Sequence, residues 1–386
     1  MLPATVDRLP FSAAELRSVL APLARAEPLP VSAYVDPAVL DLERRELFGR
    51  TWVHVCRGEE VEAPGAFVNA PVVPEGLLVA RALDLSLRAH FNVCRHRGAL
   101  LCREPAGRED AFVCPYHAWR YELDGRLTSA PGTDGLEGFD PMAHGLAPAR
   151  VAEWKGFVFV NASAEAPPLE TALAPIPDHL RRLHLGPLRL GRRVEHEVRA
   201  NWKLLIENFQ ESHHFPAVHP ALERWTPFAR SSSFVAEGAW LGGTMELVDD
   251  AETVSLDGRL HGRPLLGGAT DLDRRRVFDY FCWPNLLLSA QPDYLLTYRV
   301  WPLAPDRSRV TADILFHPAA FVDGFDPRDV YEFWDVTNRE DREICESQQI
   351  GVASRGFGRG RYATSEDGTH AFDGRIARFY LEHLES

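Results

Sequence analysis

Two short arms, Cys94-Arg95-His96 and Cys114-Pro115-Tyr116-His117, constrain this 386-residue chain more than anything else in it. Their spacings are CxH and CxxH, with 17 residues between His96 and Cys114. Each arm offers one thiolate and one imidazole. Together they supply two sulfur and two nitrogen ligands, a set that suits a tetrahedral zinc or a mixed-ligand iron–sulfur centre.

The chain around the arms has the texture of a β scaffold. From Thr51 to about Val160 it runs in short alternating stretches broken by Gly and Pro, such as Ala66–Val68, Gly76–Val79, Leu85–Phe91 and Gly156–Val160. This pattern predicts a small antiparallel β domain with both arms on loops. Ahead of it, Ser12-Ala13-Ala14-Glu15 is a capping box opening a helix that stops before Pro28, and Asp36-Pro37 caps a second helix running to Gly49. Pro167-Pro168 marks a boundary. Beyond it, Arg193–Val198 reads as a strand and Asn201–Gln210 as a helix. Strands then dominate from Ser231 to Phe316, including Arg276–Phe281, Leu286–Ser289, Leu295–Val300 and Val310–Phe316. Asp326-Pro327 opens a long helix through Gln349. Arg355–Thr364 is loop, and a last amphipathic helix lies near Gly374–Leu384. The expected class is α+β, with N-terminal helices in residues 1–50 packing on a larger domain at 166–386, and the β domain that bears both arms at 51–165.

The bulk numbers narrow the choices. Length allows two sizeable cores and exceeds what a lone electron carrier needs. A net charge of −13 argues against nucleic acid, whose phosphates select basic faces. The acidity serves solubility, or a face that docks a basic redox partner or draws in a cation. Six cysteines show no disulfide spacing, and Met1–Pro10 lacks a basic segment followed by an apolar run. A reducing cytoplasmic setting without a signal peptide is therefore expected. No stretch approaches the roughly 20 apolar residues of a membrane span, so no membrane is expected either. Gly356-Phe357-Gly358-Arg359-Gly360 has neither a preceding strand nor GxGxxG spacing, so no dinucleotide site is read there.

A second constellation lies at Glu207-Asn208-Phe209-Gln210-Glu211-Ser212-His213-His214, continuing to Phe215-Pro216-Ala217-Val218-His219. On one helix Glu207, Glu211 and His214 would share a face. His214 and His219, five apart, would diverge by roughly 140° on an ideal helix. They converge only if the backbone bends, and Pro216 is placed to bend it. Two converged imidazoles are two-thirds of a facial triad that leaves positions open on Fe(II); the carboxylate must come from elsewhere.

The flanks of the arms (Cys94-Arg95-His96-Arg97-Gly98, Cys114 to Trp119, and Asp124-Gly125), joined to this second constellation, resemble the large oxygenase subunits of Rieske non-haem iron enzymes. The likeness runs from about Ser32 to Leu384. It implies that Cys94, His96, Cys114 and His117 hold a Rieske [2Fe–2S] cluster, each arm giving one ligand to each iron; a structural zinc ribbon is the competing reading, which the flanks disfavour. It implies a small antiparallel β Rieske domain followed by a helix-grip catalytic domain, an antiparallel sheet with long helices. Asn338-Arg339-Glu340-Asp341 resembles the family's late helix, making Asp341 the third ligand of a mononuclear Fe(II) with His214 and His219, and Glu340 its competitor. Glu211 matches an acidic residue that joins a neighbouring protomer's Rieske histidine to the catalytic iron's histidine. Asn208 and His213 complete the catalytic candidates. The family usually carries Tyr where His213 stands, so His213 reads as a core or supporting residue rather than a ligand.

The implied reaction is NAD(P)H-dependent oxygen activation. With no flavin or nicotinamide fingerprint in the chain, electrons must come from a separate flavin/ferredoxin-type reductase. The expected activity is hydroxylation or oxidative demethylation of a small organic substrate. The Glu-bearing motif looks closer to α-only homotrimers acting on quaternary ammonium compounds. The alternatives are an aromatic-ring cis-dihydroxylating dioxygenase with an accessory subunit, and a Rieske electron-transfer protein whose second site is vestigial. Trp225, Phe228, Trp240, Tyr280, Phe281, Trp283 and Tyr298 are candidate aromatic walls for a cation, or ordinary sheet core.

Overall fold

The computed structural model describes residues 9–235 and 238–384. The chain forms two compact units, one comprising Glu43–Ala172 and the other the residues up to Leu42 together with those from Leu173 onward. Among the described residues, no helix is long and apolar enough to cross a membrane.

The inserted unit is antiparallel β. Its strands are β1 (Val53–Arg57), β2 (Ala66–Ala70), β3 (Leu77–Arg81), β4 (Leu87–Phe91), β5 (Ala106–Arg108), β6 (Ala111–Val113), β7 (Arg120–Glu122), β8 (Leu127–Ser129), β9 (Pro148–Trp154) and β10 (Phe157–Asn161). Seven pair in the order β1-β10-β9-β4-β3-β2-β5, while β6-β7-β8 form a separate small sheet. One arm follows β4 and the other follows β6, so each metal loop leaves a different sheet. Phe67, Leu78, Phe112, Trp119, Tyr121 and Leu127 make a core that also takes in Cys94 and Cys114.

The other unit is built on a second antiparallel sheet of β11 (Arg189–Val198), β12 (Ser231–Val235), β13 (Trp240–Glu246), β14 (Arg276–Cys282), β15 (Leu286–Ala290), β16 (Tyr294–Ala304) and β17 (Arg307–Phe316), in the order β11-β17-β16-β15-β14-β13-β12. Every pair along β12 to β17 joins strands consecutive in sequence, so a meander accounts for most of the sheet, and β11 closes on the last strand. The α-helices described along the whole chain are α1 (Ala13–Val19), α2 (Ser32–Val35), α3 (Pro37–Leu42), α4 (Leu169–Leu173, almost all of it in the inserted unit), α5 (Asp178–Arg182), α6 (Trp202–Phe209), α7 (Phe215–Val218), α8 (Pro220–Trp225), α9 (Arg328–Val352) and α10 (Asp367–Leu384). Phe215, Trp225, Val277, Tyr294, Ile314, Phe316, Phe333 and Trp334 form one apolar core joining sheet and helices.

Three expectations are corrected. The second N-terminal helix keeps its Asp36 cap, whose Oδ1 accepts from Ala38 N–H at 2.8 Å, but α geometry ends at Leu42 and residues 43–48 continue as a π-helix. The last helix begins at Asp367, ahead of the expected Gly374. Gly368 is tolerated inside it because the backbone passes against Gln210, where a Cβ would lie 2.6 Å from the carbonyl oxygen; the glycine is demanded by close approach and does not break the helix. Finally, α6 ends at Phe209, capped by Gln210, so Glu207, Glu211 and His214 do not share one helix. Glu207 turns instead into a buried site, where its Oε1 accepts from the Tyr34 hydroxyl at 2.9 Å.

Candidate metal centres and substrate cavity

The two arms of the β unit fold as matching loops. Gly98 N–H donates to Cys94 C=O and Ala118 N–H to Cys114 C=O, both at 3.0 Å. Cys94 N–H donates to Ala99 C=O and Cys114 N–H to Trp119 C=O, both at 2.8 Å. The fourth residue after each cysteine is left-handed, with φ of 74° at Gly98 and 58° at Ala118. An alanine in that region costs on the order of 1 kcal/mol, which the rest of the loop must offset.

These loops turn both cysteines inward, at 2 % and 3 % exposure, with their thiols in contact with one another. The imidazoles face outward, with ring centres 4.7 Å apart at 72°, and His96 stacks on Trp119. His117 Nδ1 is buried without a hydrogen-bond partner. Buried ring nitrogens are ordinarily satisfied, so this one fits a metal ligand. Tyr121 Oη accepts from Arg95 N–H at 3.0 Å and lies 3.3 Å from Cys94 Sγ. Its own proton is thereby left to donate to the sulfur, a contact the sequence offered no means of reading.

In the other unit His214 caps the start of α7, and His219 both ends α7 and begins α8. The break therefore falls at His219-Pro220. Pro216, expected to supply the bend, sits in the first turn of α7, where its missing N–H costs nothing. The two rings lie 5.0 Å apart at 72°. Asp341, on α9, places Oδ1 2.9 Å from His219 Nε2 and 3.7 Å from His214 Nε2. One ligand atom from each of the three lies within 4.8 Å of the others.

The opposite ring nitrogens are both engaged by carboxylates. Glu211 Oε1 is 2.6 Å from His214 Nδ1, and its Oε2 also accepts from His214 N–H at 3.1 Å. Glu340 Oε2 is 2.8 Å from His219 Nδ1. With each Nδ1–H donated to a carboxylate, each Nε2 turns a lone pair toward Asp341. Lone pairs facing a carboxylate are repulsive unless a cation lies between them, so this donor set fits a divalent metal. Burial opposes a charge at His219, yet Asp341 and Glu340 outweigh it and raise its pKa, the mark of a field that favours positive charge here. Glu340, the competing carboxylate from sequence, is thus the partner of Nδ1 of His219, the ring nitrogen that faces away from Asp341.

A cavity of about 760 Å³ opens beside this centre, lined by Asn208, Phe209 and Asp341 from α6 and α9, by Glu211, His214 and His219 from the segments around α7, and from the sheet by Met245, Asp279, Ser289, Leu296 and Tyr298. His213, grouped with the catalytic candidates, is corrected: it is exposed, stands outside this lining, and packs its ring 5.2 Å from Phe228. Of the seven candidate aromatic walls, Phe228 and Tyr298 line the cavity. Trp225, Trp240, Tyr280 and Phe281 are buried in the fold, and Trp283 packs against Phe281 and Phe372. Phe209, Phe215 and Trp334 contribute instead, because only the packing of α6, α7 and α9 selects which aromatics face the space.

Comparison with known families assigns two domains along the chain. Residues 51–140 match the Rieske [2Fe-2S] domain, and residues 185–382, more than half of the chain, match the catalytic domain of the ring hydroxylating alpha subunit. The chain belongs to the Rieske ring-hydroxylating oxygenase family. It is accordingly an oxidoreductase, with a Rieske [2Fe–2S] domain and a non-haem iron oxygenase domain. It is 32% identical over 367 residues to the glycine betaine monooxygenase oxygenase subunit of Chromohalobacter salexigens, covering 87% of this chain and 81% of that one. The carnitine monooxygenase oxygenase subunit of Acinetobacter pittii is 28% identical, covering 91% and 92%. Among solved structures, the quaternary ammonium Rieske monooxygenase CntA superposes with a TM-score of 0.80 at 25% identity, covering 96% of this oxygenase and 98% of that chain. Naphthalene 1,2-dioxygenase from Rhodococcus sp. shares the fold, also with a TM-score of 0.80, at 21% identity over 96% and 98%.

Proposed function

We propose that this oxygenase is a monooxygenase that removes a carbon group from a quaternary ammonium compound of the betaine or carnitine type. The observation that carries the proposal is the cavity itself: a two-histidine, one-carboxylate centre opens onto a space walled by Phe209, Phe228 and Tyr298 and bearing the acidic Asp279. Aromatic faces and carboxylates suit a cation that has no N–H to donate. The identity to the glycine betaine enzyme supports the same substrate class.

His214, His219 and Asp341 would hold Fe(II), and Cys94, His96, Cys114 and His117 the [2Fe–2S] cluster. When bound, the cluster supplies single electrons and the iron supplies oxygen activation. The protein's own part is positioning. Glu340 and Glu211 fix the tautomers of the two histidines, and Asn208 edges the cavity. The aromatic walls turn one carbon beside the substrate nitrogen toward the metal and keep bulk water off it. Hydroxylation of that carbon takes one oxygen atom from O₂; the other leaves as water with two protons and two electrons drawn from NAD(P)H through a separate flavin/ferredoxin-type reductase. The C–N bond then breaks with its electron pair staying on nitrogen, the hydroxyl proton is lost, and the carbon departs as an aldehyde. Glu211 is also suited to a second carboxylate contact, with a cluster histidine of a neighbouring protomer, in a cytoplasmic homotrimer.

The test is incubation of the iron-loaded enzyme with a surrogate reductase, NADH and a panel of glycine betaine, carnitine, choline and arenes. Aldehyde and the dealkylated amine, formed together with O₂ uptake from a quaternary ammonium compound, are expected. Formation of arene cis-diols with no amine turnover would overturn the reading.

A further inference from the structure

We infer that Asp279 is the counter-charge for the substrate's ammonium group, and so the residue that makes the cavity select a cation over a neutral molecule of the same shape. The inference rests on the quaternary-ammonium reading and assigns the recognition to one side chain.

The other carboxylates around the cavity are committed. Asp341 faces both histidines, Glu211 holds His214, and Asp367 accepts from the Ser233 hydroxyl. Asp279 is not. It stands on β14 in a cross-strand row with Gly243 of β13 on one side and Ser289 of β15 on the other, and it lines the cavity with Ser289. Its neighbours in the row are small, so the space beside the carboxylate stays open toward the helices. Ser289 gives it one hydrogen bond. Its Oδ1 is shut off from solvent with no partner, and among the described residues no Arg, Lys or His pairs with it. A buried carboxylate oxygen without a donor is costly and therefore rare, and a site that accepts this cost is one built to meet positive charge from a ligand.

A tetraalkylammonium matches this need better than any hydrogen-bond donor would. Its charge is spread over methyl groups, so it can lie against the part of Asp279 that faces the cavity without directional geometry while its other faces meet aromatic rings. Tyr298 supplies such a ring next door. Its hydroxyl donates to Asn338 Oδ1 at 2.6 Å, and it lines the same cavity as Asp341 and Asp279. Burial alone pushes the Asp279 carboxyl up to about 7, so a cation arriving beside it stabilises the ionised form and strengthens the pairing.

The test uses the iron-loaded holoenzyme under anaerobic conditions, with calorimetric binding of two probe pairs that differ by nitrogen against carbon: choline with 3,3-dimethylbutan-1-ol, and glycine betaine with 3,3-dimethylbutanoate. Wild type should bind at least one cation more tightly than its carbon isostere. In Asp279→Asn, affinity for that cation should fall on the order of tenfold to a hundredfold, while the isostere stays within about twofold or tightens. Asp279→Ser is the second variant, losing the charge with a small group that fits beside Ser289. Wild-type Fe(II) content at the mononuclear centre, which lies in the same unit as Asp279, together with retained binding of the carbon isostere, reports that each variant is folded. If both variants keep the wild-type preference for the cation, the assignment to Asp279 is overturned while the substrate class stands. If the wild type itself shows no preference for nitrogen over carbon, both are overturned.

Discussion

Replacing Glu340 tests which of two adjacent carboxylates binds the metal and which orients a ligand. Glu340 Oε2 lies 2.8 Å from Nδ1 of His219, a histidine only 1 % exposed, whose Nε2 points at Asp341. A charge-assisted hydrogen bond of this kind is worth about 1.5–3 kcal/mol. Carboxylates that hold a metal-binding histidine typically change metal affinity by about 10–100-fold, equivalent to about 1.4–2.7 kcal/mol. Glu340→Gln keeps an amide oxygen to accept from Nδ1–H but loses the charge, so a weakening of Fe(II) binding of about tenfold is expected. Glu340→Ala leaves Nδ1 without its partner and should approach a hundredfold. The assay is Fe(II) competition against a colorimetric chelator, with the Rieske absorption as internal control because its ligands lie in the other unit. Should Glu340→Ala bind Fe(II) within twofold of wild type, the orienting role is refuted. Should Glu340→Gln abolish binding while Asp341→Asn retains it, the two carboxylates exchange roles.

Asp341→Ala should keep the visible Rieske absorption yet abolish turnover; normal turnover with full iron content would remove Asp341 from the ligand set. Glu211→Gln loses the charged partner of His214 Nδ1, and single-turnover electron transfer should slow while both metals stay bound; an unchanged rate counts against the bridging role. Tyr121→Phe takes away the hydroxyl 3.3 Å from Cys94 Sγ. The reduced cluster, being more negative, loses more, so its midpoint potential should drop on the order of tens of millivolts, and a rise measured by redox titration would contradict the proposed donation. Asp279 has a ligand-free signature in stability. Its carboxyl sits at about 7 when folded against about 3.9 unfolded, so the native state binds the extra proton and wild-type stability falls as pH rises from about 4 to about 7. Asp279→Asn, which cannot ionise, should therefore gain a few kcal/mol relative to wild type across that window in urea denaturation, and hold a constant gain above it. A gain that does not vary with pH would deny the raised carboxyl.

The placement of strands and long helices was legible because alternation of apolar residues and the Asp-Pro and Ser-x-x-Glu caps are local signals. Helix boundaries at Gly368 and Leu42 were not, because a close backbone approach and a π turn are invisible to periodicity. The same holds for aromatics: Trp240 and Tyr298 both read as strand residues, yet only Tyr298 meets the cavity.

The amino-acid order alone determined the donor chemistry, since thiolates, imidazoles and carboxylates at these spacings leave few metals to choose among. Folding alone decided which carboxylate faces Nε2 and which faces Nδ1, that His213 turns outward, and that Asp279 lines the cavity with one oxygen unpaired and no basic side chain beside it. The reason is physical: ligand type is a property of a side chain, whereas direction and solitude are properties of what packs around it.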